Sequence, residues 1–278
     1  MESPQLTKYS HCEDGSIYDT TRQPVGLDVF KGLYPEGSEA LHIAELGCGT
    51  GNYLEALDRL YEKSDLCGVD RSPAMLNACE DKIMASNTTN RLRVVEADLL
   101  AGNVPGVANH SFHMVYSCQV LHHLGGLDGV RRLFQTAHNL CMPNGYFVVN
   151  WCTPEQQAGI WHLHLIPRAL QEIQRRSPDI ISLIHIAEQV GWKVREMHVI
   201  REELLQEESV YFDAKNVLDP GFRIGDSTWT LATPDEVEMA CEGVRVLSKE
   251  EGSALVRTLD LPRQISGQST ILVFERSA

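Results

Sequence analysis

The chain has no apolar run approaching the length of a membrane span, so nothing in it reads as a transmembrane helix. Its opening residues, MESPQLTKYSHCEDGS, are polar and lack the apolar stretch of a secretory signal. Its closing residues, FERSA, hold no cysteine for prenylation. A cytoplasmic protein without a membrane partner is the expectation. Runs of basic residues are also missing. The chain carries 24 Lys and Arg against 38 Asp and Glu, a formal net charge of −14. An acidic surface repels phosphate backbones, so nucleic acid is not an expected partner. None of the eight cysteines forms a C-x-x-C pair, and several fall in strand-like segments beside apolar residues. They read as buried free thiols in a reducing compartment rather than as a disulfide framework or a metal site. Internal repeats and low-complexity linkers are absent, and no pattern speaks to oligomeric state.

What is present is an ordinary globular composition of 278 residues, 43% hydrophobic and 22% charged, enough for one large domain with or without an appended lid. From residue 41 the pattern alternates. LHIAEL (41–46), DLCGVD (65–70), LRVVEADL (92–99), FHMVYSCQVL (112–121) and YFVVNW (146–151) read as strands, the last after a turn at MPNG. Between them lie helical periodicities. Tyr53, Leu54, Leu57, Leu60 and Tyr61 share one face, and Val130, Leu133, Phe134, Ala137, Leu140 and Cys141 share another. Ser72 and Pro73 are a cap and a first helical residue. Strands alternating with helices imply parallel pairing through crossovers, and nearly all-apolar strands imply a sheet covered on both faces. Residues 41–151 are thus expected to form a doubly wound α/β sheet. Beyond them the expectation is a helix from Glu155 to Pro178, a second helix ended by Gly191, a strand at KVREMHVI, a mostly helical stretch, and a last strand at STILVFER. A short helix after Pro24 is expected ahead of the sheet.

IAELGCGTGNY, residues 43–53, places Gly47, Gly49 and Gly51 between a strand and a helix. Such a turn lets backbone approach a ligand closely and aims helix N-terminal amides at it. The dinucleotide spacing G-x-G-x-x-G is not met; this loop is one residue shorter. Asp70, at the end of the second strand, suits the two hydroxyls of a ribose. Asp98, after the third, suits the exocyclic amine of an adenine, with Leu99 against the ring. Glu45 suits a positively charged amine near the glycines, which a hydride cofactor lacks. The glycine spacing and the Glu45/Asp98 pair therefore argue against a nicotinamide-dependent oxidoreductase.

AELGCGTGNY, GVDRSPAML, VVEADL, MVYSCQVLHHL and MPNGYFVVN, taken in order, resemble the successive motifs of the class I S-adenosylmethionine-dependent methyltransferases over roughly residues 41–151. The resemblance implies a Rossmann-like, seven-stranded, mostly parallel sheet whose last strand, STILVFER, is antiparallel and inserted beside KVREMHVI. It implies S-adenosyl-L-methionine as cofactor. The methionine part would lie at Glu45, Gly47, Cys48, Gly49 and Gly51, the ribose at Asp70, the adenine among Arg71, Met75, Asp98 and Leu99, and the sulfonium near Ser117 and Gln119. YDTTR resembles a segment that closes over the cofactor in several small-molecule members, which points to Tyr18 and Arg22. The implied organisation is a cap segment at 1–40, a cofactor-binding core at 41–202 and 266–278, and a lid insertion at 203–265.

Methyl transfer from a sulfonium is an in-line displacement that needs a positioned nucleophile, and a base only when the acceptor must lose a proton. His122 and His123 follow the fourth strand and are the candidate bases. Trp151, Trp161 and His162 after the fifth strand, and Tyr211, Arg223, Asp226 and Trp229 in YFDAKNVLDPGFRIGDSTW, are the candidate acceptor contacts. Each of these residues also has an ordinary packing reading. The histidines of LHHL and HLH do not have a diagnostic metal spacing, and no metal is expected. SCQV stands where nucleic-acid amine methyltransferases carry Asn/Asp-Pro-Pro-aromatic, Cys118 lacks the preceding proline of cytosine C5 enzymes, and the cysteines do not match an arsenite site. A small organic metabolite methylated on oxygen or nitrogen is the expected acceptor. A methyltransferase acting on a protein side chain and a non-catalytic cofactor-binding regulatory protein are the alternatives.

Overall fold

The structure is a computed structural model describing residues 22–34, 40–61, 63–85, 91–204 and 208–277. Tyr18 and most of the expected cap segment lie outside these residues. Seven strands form one sheet: β1 His42–Leu46, β2 Asp65–Asp70, β3 Arg91–Glu96, β4 Phe112–Cys118, β5 Cys141–Trp151, β6 Trp192–Ile200 and β7 Ser269–Arg276. Their order is β3-β2-β1-β4-β5-β7-β6, with β7 antiparallel to both β5 and β6 and the other pairs parallel. The expected sheet and the inserted last strand are what the chain adopts. The parallel register aligns the carboxyl ends: Glu45 pairs with Gly68 on one side and Tyr116 on the other, and Asp70 with Glu96. Functional side chains at the strand ends therefore share one edge of the sheet.

The longer helices are α1 Leu27–Leu33, α2 Asn52–Leu60, α3 Pro73–Ala85, α4 Leu127–Leu140, α5 Pro167–Arg176, α6 Ile180–Val190, α7 Pro234–Arg245 and α8 Lys249–Ser266. Their ends follow from local chemistry. The Ser72 hydroxyl accepts the Met75 amide at 3.4 Å, with Pro73 at the first helical position. Asp179 caps α6, and Gly191 at φ 97° ends it. Thr233 with Glu236, and Ser248 with Glu251, form capping boxes at α7 and α8. The apolar face of α4 is buried as its periodicity requires, with Val130, Leu133, Phe134, Ala137 and Leu140 all 0–1% exposed. Burying each large side chain contributes about 1.5–3 kcal/mol, which fixes the helix to the sheet.

Two expectations need correction. Residues 155–178 are not one helix. They form a short helix Pro154–Gln157, a 3-10 turn Trp161–Leu165 and α5. A β-carbon on Gly159 would fall 2.8 Å from the backbone nitrogen of Arg263, so the chain bends where another segment presses against it, and Pro167 restarts the helix. MPNG is not a separate turn before β5 but sits inside that strand. Pairing with β4 jumps from Cys141 to Tyr146, so these four residues bulge out of the ladder.

Three apolar clusters result, one on each face of the sheet and a third apart from it. The third joins Ile160, Trp161, Leu163 and Ile173 to Tyr211, Phe222, Trp229, Val244 and Val256. It is pinned by a buried ion pair. Arg263 donates to both oxygens of Asp260 at 2.7 and 3.0 Å, and Asp260 also accepts the Tyr211 hydroxyl at 2.9 Å. Arg263 reaches Glu203 at 3.1 Å and the Arg201 carbonyl at 3.2 Å, tying α8 to the segment after β6. Among the described residues no helix is long and apolar enough to cross a membrane.

Asp260→Ala leaves a guanidinium buried without its carboxylate. The expected outcome is a loss of about 3–5 kcal/mol in unfolding free energy, read from the midpoint of a urea titration.

Candidate active site

A cavity of about 480 Å³ opens beyond the carboxyl ends of β1 to β5, a size that suits a small-molecule or cofactor site. One end is built from the glycine loop. The amides of Gly47 and Cys48 both donate to the Val69 carbonyl, at 2.7 and 3.1 Å, which clamps the loop to β2. The Gly49 amide donates to Asp70 Oδ2 at 2.9 Å and the Ser72 amide to Oδ1 at 3.0 Å. A carboxylate has about four lone-pair sites, so Asp70 retains capacity for ligand hydroxyls. Gly51, at φ 81°, admits no side chain: a β-carbon there would stand 2.5 Å from Cys79 Sγ on α3. A β-carbon on Gly49 would meet nothing within 4 Å, so that position faces open space on the cavity side.

Glu45 lines the same end. It is buried, and Tyr116 donates its hydroxyl to Oε2 at 3.0 Å. Burial pushes its carboxyl well above the usual range, only partly offset by the Tyr116 hydrogen bond. Asp98 is exposed at the rim, with Oδ1 accepting the Leu100 amide at 2.9 Å and Leu99 buried beneath it. Arg71 and Met75 complete this wall. Gln119 lies just past β4 in the left-handed region at φ 57°, an uncommon conformation for a residue other than glycine. It is locked there: its amide donates to the Asn150 carbonyl at 2.7 Å, its Nε2 to Asn150 Oδ1 at 3.3 Å, and Cys152 donates its thiol to Oε1 at 3.5 Å.

The other end is assembled from distant segments. His122 and His123 sit on a 3-10 turn after β4, their ring centroids 3.8 Å apart. His162 is buried against Trp229, stacked at 6.2 Å, with its Nε2 3.9 Å from Asp226. Arg22 lies 3.8 Å from the other Asp226 oxygen and donates to the Gly225 carbonyl. Burial, with Arg176 adding to it, pulls His123 down to about 3; burial pulls His122 and His162 down to about 4 despite the pull of Asp226. All three rings are therefore neutral at pH 7. Burial raises the Asp226 carboxyl, but Arg22 and His162 outweigh it, and the net shift is downward.

Of the residues singled out from sequence, the cavity lining unites Arg22, Glu45, Gly47, Cys48, Gly49, Asp70, Arg71, Met75, Asp98, Leu99, Gln119, His122, His123, His162, Tyr211 and Asp226. Six others do not line it. Gly51 is turned into α3, and the Ser117 hydroxyl donates to the Leu46 carbonyl within the sheet. Trp151 donates its indole N–H to the Pro178 carbonyl, and Trp161 donates to the Tyr211 carbonyl. Arg223 donates to the Val217 carbonyl, and Trp229 packs in the third cluster. Sequence reasoning missed Tyr53, Gln157, Ile173, Arg176, Thr228 and Gln268 on the wall. Tyr53 closes the AELGCGTGNY motif; Gln157, Ile173, Arg176, Thr228 and Gln268 stand in no cofactor motif and arrive there through tertiary packing. Among the described residues no group of three or more His, Cys, Asp or Glu is placed to hold a metal ion.

This sheet order, glycine loop and strand-end carboxylates define a nucleotide-cofactor-binding α/β fold. Residues 44–147 match a family model described as a methyltransferase domain. The malonyl-[acyl-carrier protein] O-methyltransferase of Bacillus cereus is 33% identical over 84 residues, which cover 28% of this chain and 31% of that protein. The matched stretch thus spans less than a third of the curated relative's length. A solved protein of Anabaena variabilis, described as a methyltransferase from an antibiotic biosynthesis pathway, is similar with a TM-score of 0.66 at 15% identity, over 91% of this chain and 98% of its own. The phosphoethanolamine N-methyltransferase 2 of Haemonchus contortus, solved with phosphomonomethylethanolamine and S-adenosylhomocysteine, is similar with a TM-score of 0.53 at 14% identity, over 91% and 52%. At these identities the two structures speak to fold alone. Residues 44–147 thus match a methyltransferase domain, and the sheet that contains them has the fold of the solved methyltransferases it resembles.

Three histidines held neutral by burial make stability depend on pH. Their folded-state values lie below the ordinary value of 6.5, so the unfolded chain binds the extra protons. Stability contributed by these groups is complete above about 6.5 and declines as pH falls toward about 4. Thermal melts between pH 7 and pH 4.5 should show a falling midpoint, and His162→Phe should make the fall shallower.

Proposed function

We propose that this protein transfers a methyl group from S-adenosylmethionine to an oxygen or nitrogen of a small organic metabolite enclosed in the cavity. The observation that carries this reading is the cavity's division into two ends, one built from backbone amides and strand-end carboxylates, the other from neutral histidines and apolar walls. The first end fits the cofactor's functional groups. Asp70 would take the ribose hydroxyls, Asp98 the adenine amine, with Leu99, Met75 and Arg71 around the ring, and Gly47, Cys48 and Gly49 the methionine part. Glu45 would take the ammonium group, whose positive charge offsets the burial that raises this carboxyl. S-adenosylmethionine supplies, when bound, a methyl group already activated by its sulfonium. What remains for the chain is positioning, exclusion of water and management of one proton.

Segment 203–265, resting on residues 160–173, is proposed as the cover of the acceptor chamber, with Tyr211 and Asp226 facing inward. Arg22 joins that cover to the amino-terminal segment through Asp226 and Gly225. His123 and His122 are proposed as proton acceptors. Their low basicity is sufficient for a hydroxyl acceptor, because the protonated ether formed on methyl transfer is far more acidic than either imidazolium. A hydroxyl carried between a neutral ring nitrogen and the in-line methyl has its lone pair aimed and its proton claimed. The described cysteines are free thiols, which supports a reducing compartment such as the cytoplasm.

Calorimetric titration with S-adenosylmethionine, S-adenosylhomocysteine and NADH tests the cofactor. Micromolar binding of the first two without NADH is expected; binding of NADH alone overturns the reading. Asp70→Ala should weaken S-adenosylhomocysteine binding by about 1–3 kcal/mol in a folded variant, and unchanged affinity removes the ribose assignment. With an acceptor in hand, His123→Asn should lower kcat about 100-fold while leaving S-adenosylhomocysteine affinity intact, and an undiminished kcat removes the base role.

A further inference from the structure

Three polar atoms of residues on the cavity wall are buried without a hydrogen-bond partner among the described residues: Gln157 Oε1, His162 Nδ1 and Gln268 Oε1. An unpaired buried polar atom forfeits its hydration with nothing in return, so three around one cavity call for an occupant. The chemistry of each follows from its neighbours. The Ser177 hydroxyl donates to the Ile173 carbonyl at 3.0 Å, which uses its one proton. Toward Gln157, 2.7 Å away, it can only accept, so the Gln157 amide nitrogen stands there and the carbonyl oxygen is the atom left over. His162 is neutral at pH 7 and carries one ring proton. Asp226 faces its Nε2 at 3.9 Å and can only accept, which places that proton on Nε2 and a lone pair on Nδ1. Gln268 Oε1 is a carbonyl oxygen. All three open atoms are therefore acceptors.

Donors on the same wall are spent within the protein. Gln157 Nε2 is held by Ser177, the Tyr211 hydroxyl donates to Asp260 at 2.9 Å, and Arg22 donates to the Gly225 carbonyl and faces Asp226 at 3.8 Å. The Trp229 indole N–H is also unpartnered, but Trp229 does not line the cavity. This imbalance selects among ligands. An anion would set its lone pairs against lone pairs. An ammonium group would meet two guanidiniums, Arg22 and Arg176, against one carboxylate, Asp226. A neutral molecule with hydroxyl or N–H groups supplies the donors that the three open atoms need.

We propose that this end of the cavity binds a neutral ligand with at least two hydrogen-bond donors, hydroxyl or N–H, which it gives to His162 Nδ1 and Gln157 Oε1. Taking that ligand as the methyl acceptor rests on the proposed function; the donor-binding site rests on the wall alone.

The test uses the full chain saturated with S-adenosylhomocysteine and two matched pairs of probes, resorcinol with 1,3-dimethoxybenzene and benzamide with N,N-dimethylbenzamide, beside benzoate and benzylamine. Titration calorimetry at pH 7 should show at least one donor-bearing probe binding about tenfold or more tightly than its methylated partner. His162→Phe, which keeps a ring against Trp229, and Gln157→Met should each weaken that probe about fivefold or more while S-adenosylhomocysteine affinity stays within about twofold. Equal binding within both pairs means that water alone satisfies these atoms and overturns the proposal, as does a preference that survives both substitutions or no binding by any probe. Benzoate or benzylamine binding more tightly than every neutral probe overturns the choice of a neutral ligand. Should the variants fail to fold, the wild-type pairs decide. Failure of S-adenosylhomocysteine to bind counts against the methyltransferase reading instead, and the same probes titrated into the unliganded protein then judge the donor-binding site separately.

Discussion

One carboxylate, that of Asp70, accepts the Gly49 amide at 2.9 Å and the Ser72 amide at 3.0 Å, and so fixes the loop after β1 to the loop after β2. The arrangement exists because β1 and β2 are adjacent parallel strands in a register that brings Leu46 opposite Val69. The Val69 carbonyl takes the Gly47 and Cys48 amides from the same loop. The backbone that faces a ligand is therefore set before any ligand arrives, at no further ordering cost. Gly51 is the other half of the constraint. It lets α3 lie close enough that Cys79 fills the space a side chain would need, and this closeness keeps the first turn of α2 against the sheet. Loop, carboxylate and helix start form one rigid piece, and the remaining walls are placed relative to it.

The opposite end of the cavity follows a different physical rule. Its polar groups are side chains brought from residues 122 to 123, 157 to 176 and 204 to 231, and burial decides their charge. Three imidazoles are stripped of water and stay neutral, whereas Asp226 keeps its charge because Arg22 faces it and the Thr228 amide donates to it. A chamber of neutral donors and acceptors with a few paired ions discriminates by what a ligand leaves unsatisfied. Such a chamber selects chemistry more sharply than an apolar pocket does.

The glycine-loop end of the cavity was legible in the sequence and the opposite end largely was not. Glycines 47 and 49, Asp70 and Asp98 are readable because they act through local geometry: a strand, a turn, a helix start, at spacings that backbone dimensions dictate. Gly51 is readable as a glycine, yet its reason is contact with α3 rather than with a ligand. Ser117 shows the limit of strand alternation, since its neighbours Tyr116 and Cys118 point one way and its own hydroxyl bonds Leu46 within the sheet. The aromatic candidates divided for a simpler cause. Trp151, Trp161 and Trp229 are large, and a large ring is most often required by a core, where two of the three indole N–H groups found carbonyl partners. The break at Gly159 was invisible because its cause, the backbone of Arg263, lies about a hundred residues away along the chain.

That same distant contact explains how this end of the cavity keeps its shape. Arg263 is pressed against Gly159, paired with Asp260 and linked through it to the hydroxyl of Tyr211, whose ring lines the cavity. Trp161 donates to the Tyr211 carbonyl, so the same residue is held from its backbone as well. Buried ion pairs seldom add net stability over apolar packing of the same volume, because desolvation offsets most of their attraction. Their geometry, however, is strict: two parallel N–H···O contacts admit one arrangement where an apolar cluster admits several. The Arg263–Asp260 pair is therefore better understood as a device that holds Tyr211 and the turn at Trp161–Leu165 in one position relative to the sheet than as a source of stability. A wall defined in this way keeps His162 and Asp226 at their observed separation while the apolar cluster behind them tolerates change, which lets the chamber's chemistry be set independently of the core that supports it.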